Sequence, residues 1–219
     1  MIGRPGIVAL DRPAWLDAER LVGALGECAS FYKVGLELFA AEGPAVVREL
    51  TGRGKRVFLD LKLHDIPTTV AGAARAAAGH GADLLTVHAG GGADMVRAAA
   101  EAAAEASGGR TVVLAVTVLT SLAAERLPGS FRRDLALTDL VVAMAEESLA
   151  AGAGGLVCSG AEVGALRGRV GTAPVLVVPG TRPAGASAQD QARVVTPQAA
   201  LAAGADWLVV GRAVTAAPD

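Results

Sequence analysis

Short apolar runs rich in Val, Leu and Ile recur along the chain. Each is followed by a polar or glycine turn and then by an alanine-rich stretch. The runs are Ile7–Leu10, Phe31–Val34, Val57–Leu61, Leu84–Val87, Val112–Val116, Gly155–Val157, Val175–Val178 and Trp207–Val210. Continuous apolar runs of this kind, alternating with helical stretches, predict parallel strands buried on both faces. Eight such units, starting 20 to 43 residues apart in a chain of 219, predict an α/β fold, a (β/α)8 TIM barrel. The length is at the small end of that fold's usual range of about 200–250 residues. A doubly wound open sheet is the alternative. Its dinucleotide-binding form carries a glycine fingerprint after strand one, where this chain has Asp11-Arg12-Pro13.

Helix signals fit the scheme. Thr68 and Thr69 are expected to cap Val70–Ala78, which Gly79 and Gly81 would end. Ala98–Ala106 is strongly helix-favouring and stops at Gly108-Gly109. Thr196 sets a capping hydroxyl before Pro197 at a first helical position, and Gly204 closes that helix. No linker or composition break appears, so residues 1–219 are expected to form a single barrel domain. The two long gaps, Leu119–Thr138 and Pro179–Val195, both follow predicted strands, and long loops in compact domains are usually functional.

Composition narrows the class. Hydrophobic residues make up 52% and charged residues 19%, enough to bury a large core and to exclude disorder. Aromatics are only 3%, so Ala, Val and Leu must fill that core. A net charge of −2, from 20 Lys+Arg and 22 Asp+Glu, leaves no electrostatic footprint for nucleic acid or for an anionic membrane. The longest apolar stretch, Val112 to Leu119, contains Thr117 and is too short to span a bilayer. Cys28 and Cys158 are far apart and outside any ligand spacing, and the first residues lack the apolar stretch of a signal peptide. A cytoplasmic protein with reduced thiols is expected.

In a (β/α)8 barrel the active site lies at the C-terminal ends of the strands. The densest chemistry there is Phe58-Leu59-Asp60-Leu61-Lys62-Leu63-His64-Asp65-Ile66-Pro67. Asp60 and Lys62 are two apart on a strand and so share a face. Flanking carboxylates favour the ammonium form of a lysine, which suits Lys62 to a general acid and not to a Schiff-base nucleophile. Asp65 in the following turn and Lys33 one strand earlier would complete an alternating Lys-Asp-Lys-Asp array, and Asp11 follows the first strand. A salt-bridged rim is the structural alternative for a lone Asp-x-Lys pair. Charges at three successive strand ends argue instead for preorganised electrostatics.

A second group follows the last two strands: Pro179-Gly180-Thr181-Arg182 and Gly211-Arg212. Loops at these positions are the usual phosphate seat in this fold, and arginine adds charge-assisted hydrogen bonds. Gln191, late in the same long loop, could donate an amide hydrogen bond to the phosphate. Thr120 and Ser121 could touch substrate or simply cap a loop. Asp11 could bind a ribose hydroxyl or form a turn before Pro13. His88 ends the fourth strand and reads as a packing or rim residue. His64, His80 and His88 have no ligand spacing, so no metal site is expected.

Together these segments resemble the orotidine 5′-monophosphate decarboxylase family. The matching signatures are Ala9-Leu10-Asp11, Tyr32-Lys33-Val34-Gly35, the string from Leu59 to Pro67, Thr117-Val118-Leu119-Thr120-Ser121, Pro179-Gly180-Thr181-Arg182-Pro183, Asp190-Gln191 and Val210-Gly211-Arg212. They run in family order over nearly the whole chain, and the Asp-x-Lys-x-x-Asp-Ile-Pro string is the most specific. The resemblance implies a homodimeric barrel that needs no metal or other cofactor. It implies conversion of orotidine 5′-monophosphate to uridine 5′-monophosphate and carbon dioxide, the last step of de novo pyrimidine synthesis. By the same resemblance Lys62 would protonate C6 as the carboxylate leaves, Asp60 would sit against that carboxylate, and Lys33 would order the array and touch ribose. Asp65 and Thr69 would reach into the partner subunit's site, Asp11 would bind ribose, and Thr120 or Ser121 would contact the pyrimidine. Arg182, Gln191 and Arg212 would hold phosphate, with Pro179, Gly180 and Gly211 in the same substrate-binding loops. Thr120–Arg133 and Pro183–Arg193 would be lids.

Two departures accompany the resemblance. Thr181 stands where the family often has an aliphatic residue. The chain ends at Asp219, soon after the eighth strand, where relatives usually carry a further helix, so a missing or trimmed closing helix is expected. Three other readings compete. One is a magnesium-dependent decarboxylase of 3-keto-L-gulonate 6-phosphate, which uses a similar Asp-x-Lys-x-x-Asp string. The others are a non-catalytic nucleotide-binding barrel and a barrel whose rim charges serve only stability. Ile66-Pro67 and the Pro179–Arg182 loop favour the orotidine enzyme, and the presence of Lys62, Asp60 and Asp65 argues against a non-catalytic barrel.

Overall fold

The apolar runs form strands because both of their faces find cover, one inside a barrel and the other under helices. In the computed structural model, which describes residues 5–129, 131, 134–182 and 195–215, the strands are β1 (Gly6–Ala9), β2 (Phe31–Gly35), β3 (Arg56–Leu63), β4 (Leu84–His88), β5 (Val112–Val116), β6 (Gly155–Val157), β7 (Val175–Val178) and β8 (Trp207–Val210). They are parallel and close a barrel in sequence order. β8 joins β1 through Gly6↔Leu208, Ile7↔Val209 and Val8↔Val210, which leaves no exposed sheet edge.

The helices are α1 (Trp15–Leu25), α2 (Leu36–Glu42), α3 (Ala45–Gly52), α4 (Pro67–Gly79), α5 (Ala93–Ser107), α6 (Leu137–Ala150), α7 (Val163–Val170), α8 (Pro197–Ala202) and α9 (Arg212–Thr215). Two cores result. One fills the barrel with Ile7, Phe31, Phe58, Leu84, Leu114, Val177 and Val209. The other lies between strands and helices, where Val8, Val34 and Leu85 pack with Leu50, Val70, Ala74, Val96, Ala99 and Leu166. Alanine-rich helix faces supply the close approach that a chain poor in aromatics requires.

The start of α4 differs from expectation. Its N-cap is Ile66, with no side-chain capping bond, and Pro67 takes the first turn. Proline presets the first helical position, so Thr68 and Thr69 lie inside the helix and cap nothing. The other two helix ends behave as the sequence indicates. Gly108 closes α5 at φ +62° with its N–H on the Ala104 carbonyl. Thr196 Oγ1 accepts from the Ala199 N–H at 3.2 Å. After β8 comes the short helix α9, which Arg12 ties to the loop after β1 by donating from Nη2 to the Thr215 carbonyl at 3.0 Å.

Within the barrel, residues two apart along a strand point inward together. On β2 this inward series runs Phe31, Lys33; on β3, Phe58, Asp60; on β4, Leu84, Thr86, His88. Each series is apolar at the start of the strand and polar at its end. The chemistry of the molecule is therefore collected at one mouth, above an apolar plug.

Candidate active site

The site is built on an irregularity in β3. This strand pairs with β4 at Phe58↔Leu84 and Leu59↔Leu85, then again only at Leu63↔Val87. From Leu59 to Leu63 is four steps and from Leu85 to Val87 is two, so Asp60, Leu61 and Lys62 together oppose Thr86. Lys62 absorbs the excess at φ +50°, the only non-glycine residue with positive φ among the described residues. The left-handed region costs an L-residue about 1–2 kcal/mol, and bulges re-aim side chains beside functional sites.

Three hydrogen bonds fix the distortion. The Lys62 backbone N–H donates to Thr86 Oγ1 at 2.8 Å. The Thr86 hydroxyl donates to Asp60 Oδ1 at 3.0 Å, and Lys62 Nζ donates to the same oxygen at 2.8 Å. Asp60 Oδ2 lies 3.6 Å from Lys33 Nζ, which in turn donates to Asp11 Oδ1 at 3.1 Å. Gly35 leaves room for this contact, since a Cβ there would stand 3.0 Å from Lys33 Nζ. Burial alone would push the Asp60 carboxyl up. The two ammonium groups of Lys62 and Lys33, with hydrogen bonds from Lys62 and Thr86, outweigh burial and hold it below the usual carboxylate range.

The array seen in one chain thus runs Asp11, Lys33, Asp60, Lys62. Simple alternation along a regular strand is not what joins Asp60 to Lys62; the bulge is. Asp65 is not part of the array within its own chain. It is exposed, and its Oδ1 accepts from the neighbouring Ile66 N–H at 2.6 Å. Thr69 is likewise exposed, in the first turn of α4.

A cavity of about 170 Å³ opens over Asp60, lined by Lys33, Lys62, Thr120 and Pro179 with Phe58 and Val116 beneath. Ser121 is exposed and does not line it. Leu119 separates this cavity from a second, of about 450 Å³, lined by His64, His88, Leu122, Phe131 and Met144. The two imidazoles stand 5.5 Å apart. Burial, then the neighbouring His64 and Lys62, push the His88 imidazole below its ordinary range, against the opposing pull of Asp60. Among the described residues no group of three or more His, Cys, Asp or Glu is placed to hold a metal ion.

The residues expected from the sequence to hold phosphate follow β7 and β8, which pair at Val177↔Trp207 and Val178↔Leu208. Gly180 takes φ +73°. The Arg182 backbone N–H donates to the Val195 carbonyl at 3.1 Å, and its Nη1 donates to the Thr181 carbonyl at 2.9 Å. Arg182 therefore stands where the segment 183–194 leaves and returns. Gln191 and the expected lid Pro183–Arg193 lie outside the described residues. Of the other expected lid, Thr120–Arg133, the described part carries one 3₁₀ turn at Ala124–Arg126. Gly211 is half-buried, and Arg212 is exposed at the start of α9. Thr181 is buried, and its hydroxyl has no hydrogen-bond partner among the described residues.

Sequence reading missed Thr86. Its signal was present: a hydroxyl in Leu84-Leu85-Thr86-Val87-His88, on the inward parity, one strand from Asp60. In the sequence His88 reads as a packing or rim residue, and its pairing with His64 depends on a loop path that no spacing rule supplies.

A closed parallel barrel with alternating carboxylates and ammonium groups at its C-terminal mouth defines the class as a (β/α)8-barrel enzyme. A profile of the orotidine 5′-phosphate decarboxylase / HUMPS family matches residues 5–219, and the chain belongs to that family. The orotidine 5′-phosphate decarboxylase of Anaeromyxobacter dehalogenans is 56% identical over 215 residues, covering 96% of this chain and 91% of its own. That of Thermobifida fusca is 54% identical over 216 residues, covering 98% and 90%. The crystal structure of orotidine 5′-phosphate decarboxylase from Lactobacillus acidophilus superposes with a TM-score of 0.86 at 37% identity, covering 99% of this chain and 94% of that one.

Proposed function

We propose that this protein is a carboxy-lyase that converts orotidine 5′-monophosphate to uridine 5′-monophosphate and carbon dioxide in pyrimidine biosynthesis. The observation that carries the reading is the Lys62–Asp60 pair at 2.8 Å, with Lys33 beside it in the mouth cavity. It occurs in a chain more than half identical to relatives named for this activity.

The chemistry follows from the charges. When the bond from C6 to the carboxylate breaks, carbon dioxide leaves and the electron pair stays on C6. Lys62 stabilises that pair as an ammonium and then delivers a proton to C6, ending as the neutral amine until water restores its proton. Asp60, held ionised between two lysines, faces the substrate carboxylate, and their repulsion is relieved as carbon dioxide departs. Lys33 and Asp11 bind ribose, Thr120 or Ser121 meets the pyrimidine, and Arg182, Gln191 and Arg212 grip the phosphate beside Pro179, Gly180 and Gly211. Binding energy from that remote grip serves the transition state. The positive charge required at C6 comes from Lys62, so the reaction needs no metal or cofactor.

The protein acts as a homodimer in which Asp65 and Thr69 enter the partner's site. Support comes from the exposed run His64–Thr69, with Ile66 64% exposed, and from the exposed Asp65, whose carboxylate accepts from the Ile66 N–H. No helix among the described residues is long and apolar enough to cross a membrane, and Cys28 and Cys158 form no disulfide, which accords with a cytoplasmic enzyme.

The test is loss of orotate absorbance when the purified protein meets orotidine 5′-monophosphate in the presence of a chelator. Undiminished turnover is expected. A folded protein without turnover overturns the reading, and turnover lost on chelation overturns metal independence.

A further inference from the structure

We propose that Thr86 is a positioning residue for this reaction: its hydroxyl locks the Lys62 backbone and orients the Asp60 carboxylate, keeping proton donor and carboxylate in register. The inference rests on the reading of Lys62 as proton donor.

The hydroxyl has one proton to give and lone pairs to receive, and it uses both kinds of site on the catalytic pair. It donates to Asp60 Oδ1 at 3.0 Å and accepts the Lys62 N–H at 2.8 Å. At the bulge the Lys62 amide is out of register with β4, and Thr86 supplies the acceptor. Leaving that part-buried amide without an acceptor is unfavourable. The same bond holds Lys62 at φ +50°, a conformation that reverts unless the surroundings dictate it.

Thr86 is fully buried, and its branched Cβ restricts its rotamer, so the hydroxyl is presented rigidly. Asp60 Oδ1 then takes two donors, Thr86 and Lys62, while Oδ2 is turned toward Lys33. Without Thr86 the carboxylate is free to rotate, and the bulge that aims Lys62 loses its tie to β4.

The experiment compares Thr86→Val, which keeps shape and removes the hydroxyl, with Thr86→Ser, which keeps the hydroxyl. Turnover number and Michaelis constant for orotidine 5′-monophosphate, uridine 5′-monophosphate affinity and the pH profile are measured for each. Thr86→Val should lower kcat about 10- to 100-fold, as displacement of a catalytic group does. Nucleotide affinity should change less than about twofold, because phosphate and ribose contacts survive. The acid limb of kcat should move to higher pH, since Asp60 loses a hydrogen bond to its ionised form. Thr86→Ser should recover most of the loss.

Undiminished kcat in Thr86→Val overturns the role. So does a parallel fall of kcat and nucleotide affinity with an unmoved acid limb, which marks a purely structural residue. So does Thr86→Ser as impaired as Thr86→Val. If Thr86→Val does not fold, Thr86→Ala is read by the same criteria. A wild-type protein inactive on this substrate overturns the functional reading and this role with it; an active wild type with an undiminished Thr86 variant overturns the positioning role alone.

Discussion

Lys62 reaches Asp60 Oδ1 at 2.8 Å from a backbone turned to φ +50°. The strain and the contact belong together. The bulge that turns the backbone leaves Lys62 and Asp60 opposite a single residue of β4, so the ammonium is delivered to the mouth by a distortion that the rest of the barrel does not share. Unfavourable backbone at a site persists only where neighbours dictate it, and here Thr86, Asp60 and the closed barrel do so.

Replacing Lys62 separates the two contributions. Lys62→Ala and Lys62→Gly should both lose turnover by at least about 10²–10⁴-fold, since each removes the proposed proton donor. Lys62→Gly should nevertheless be more stable than Lys62→Ala by about 1 kcal/mol, because glycine occupies positive φ without the Cβ penalty. Urea unfolding of the two variants checks the order. Equal stabilities would mean that the turn relaxes once the lysine is gone. Retained turnover in either would remove Lys62 as donor.

Thr181 carries a cost that the other buried side chains among the described residues avoid. Its hydroxyl is buried without a hydrogen-bond partner among the described residues, and an orphaned buried polar group is destabilising. Thr181→Val keeps the shape and should gain about 1 kcal/mol. In a chain of this length that raises Tm by about 2–4 °C. A lower Tm would show that the hydroxyl finds a partner in solution.

How far the sequence carried can be judged element by element. The starts of β5, β6, β7 and β8 fall where the apolar runs start, because a strand buried on both faces has no polar position to blur its limits. Asp60 and Lys33 were legible from residue type and strand parity, and Lys62 from residue type, although the bulge and not parity brings it to Asp60. The bulge was not, because an extra pair of residues in β3 leaves no mark in a string that still alternates as Leu59-Asp60-Leu61-Lys62-Leu63. The signal of Thr86 was ambiguous for a related reason: a lone threonine on the inward parity of an apolar strand reads as β-propensity until its partners across the ladder are known. Thr68 and Thr69 misled because hydroxyls before a helical run suggest a cap, whereas Pro67 had already set the helix start.

His88 gives the fold a pH-dependent element. Burial, His64 and Lys62 favour its neutral form, with Asp60 opposing, so its folded pKa lies below the ordinary 6.5. Between those two values the unfolded chain binds the proton that the folded chain refuses. The contribution of His88 to stability is therefore complete above about pH 6.5 and is lost as pH falls through the folded value. His88→Gln should flatten that loss. Urea midpoints of wild type and variant, taken from neutral to mildly acid pH, make the comparison; identical slopes would show that His88 does not carry the dependence.

The exposed Asp65 offers the sharpest test of a shared site. If each site takes Lys62 from one subunit and Asp65 from the other, Lys62→Ala and Asp65→Ala homodimers are both crippled. In a heterodimer of the two, one site inherits both lesions and the other inherits none. Random reassortment makes about half of all dimers mixed, each with one intact site, so about a quarter of wild-type activity should return. The increase should follow the rate of subunit exchange and should be absent when exchange is blocked before mixing. No recovery in heterodimers isolated by two affinity tags would place Asp65 in the service of its own chain. It would then require the loop carrying Asp65, now closed on the Ile66 N–H, to fold back over Lys62 when substrate binds.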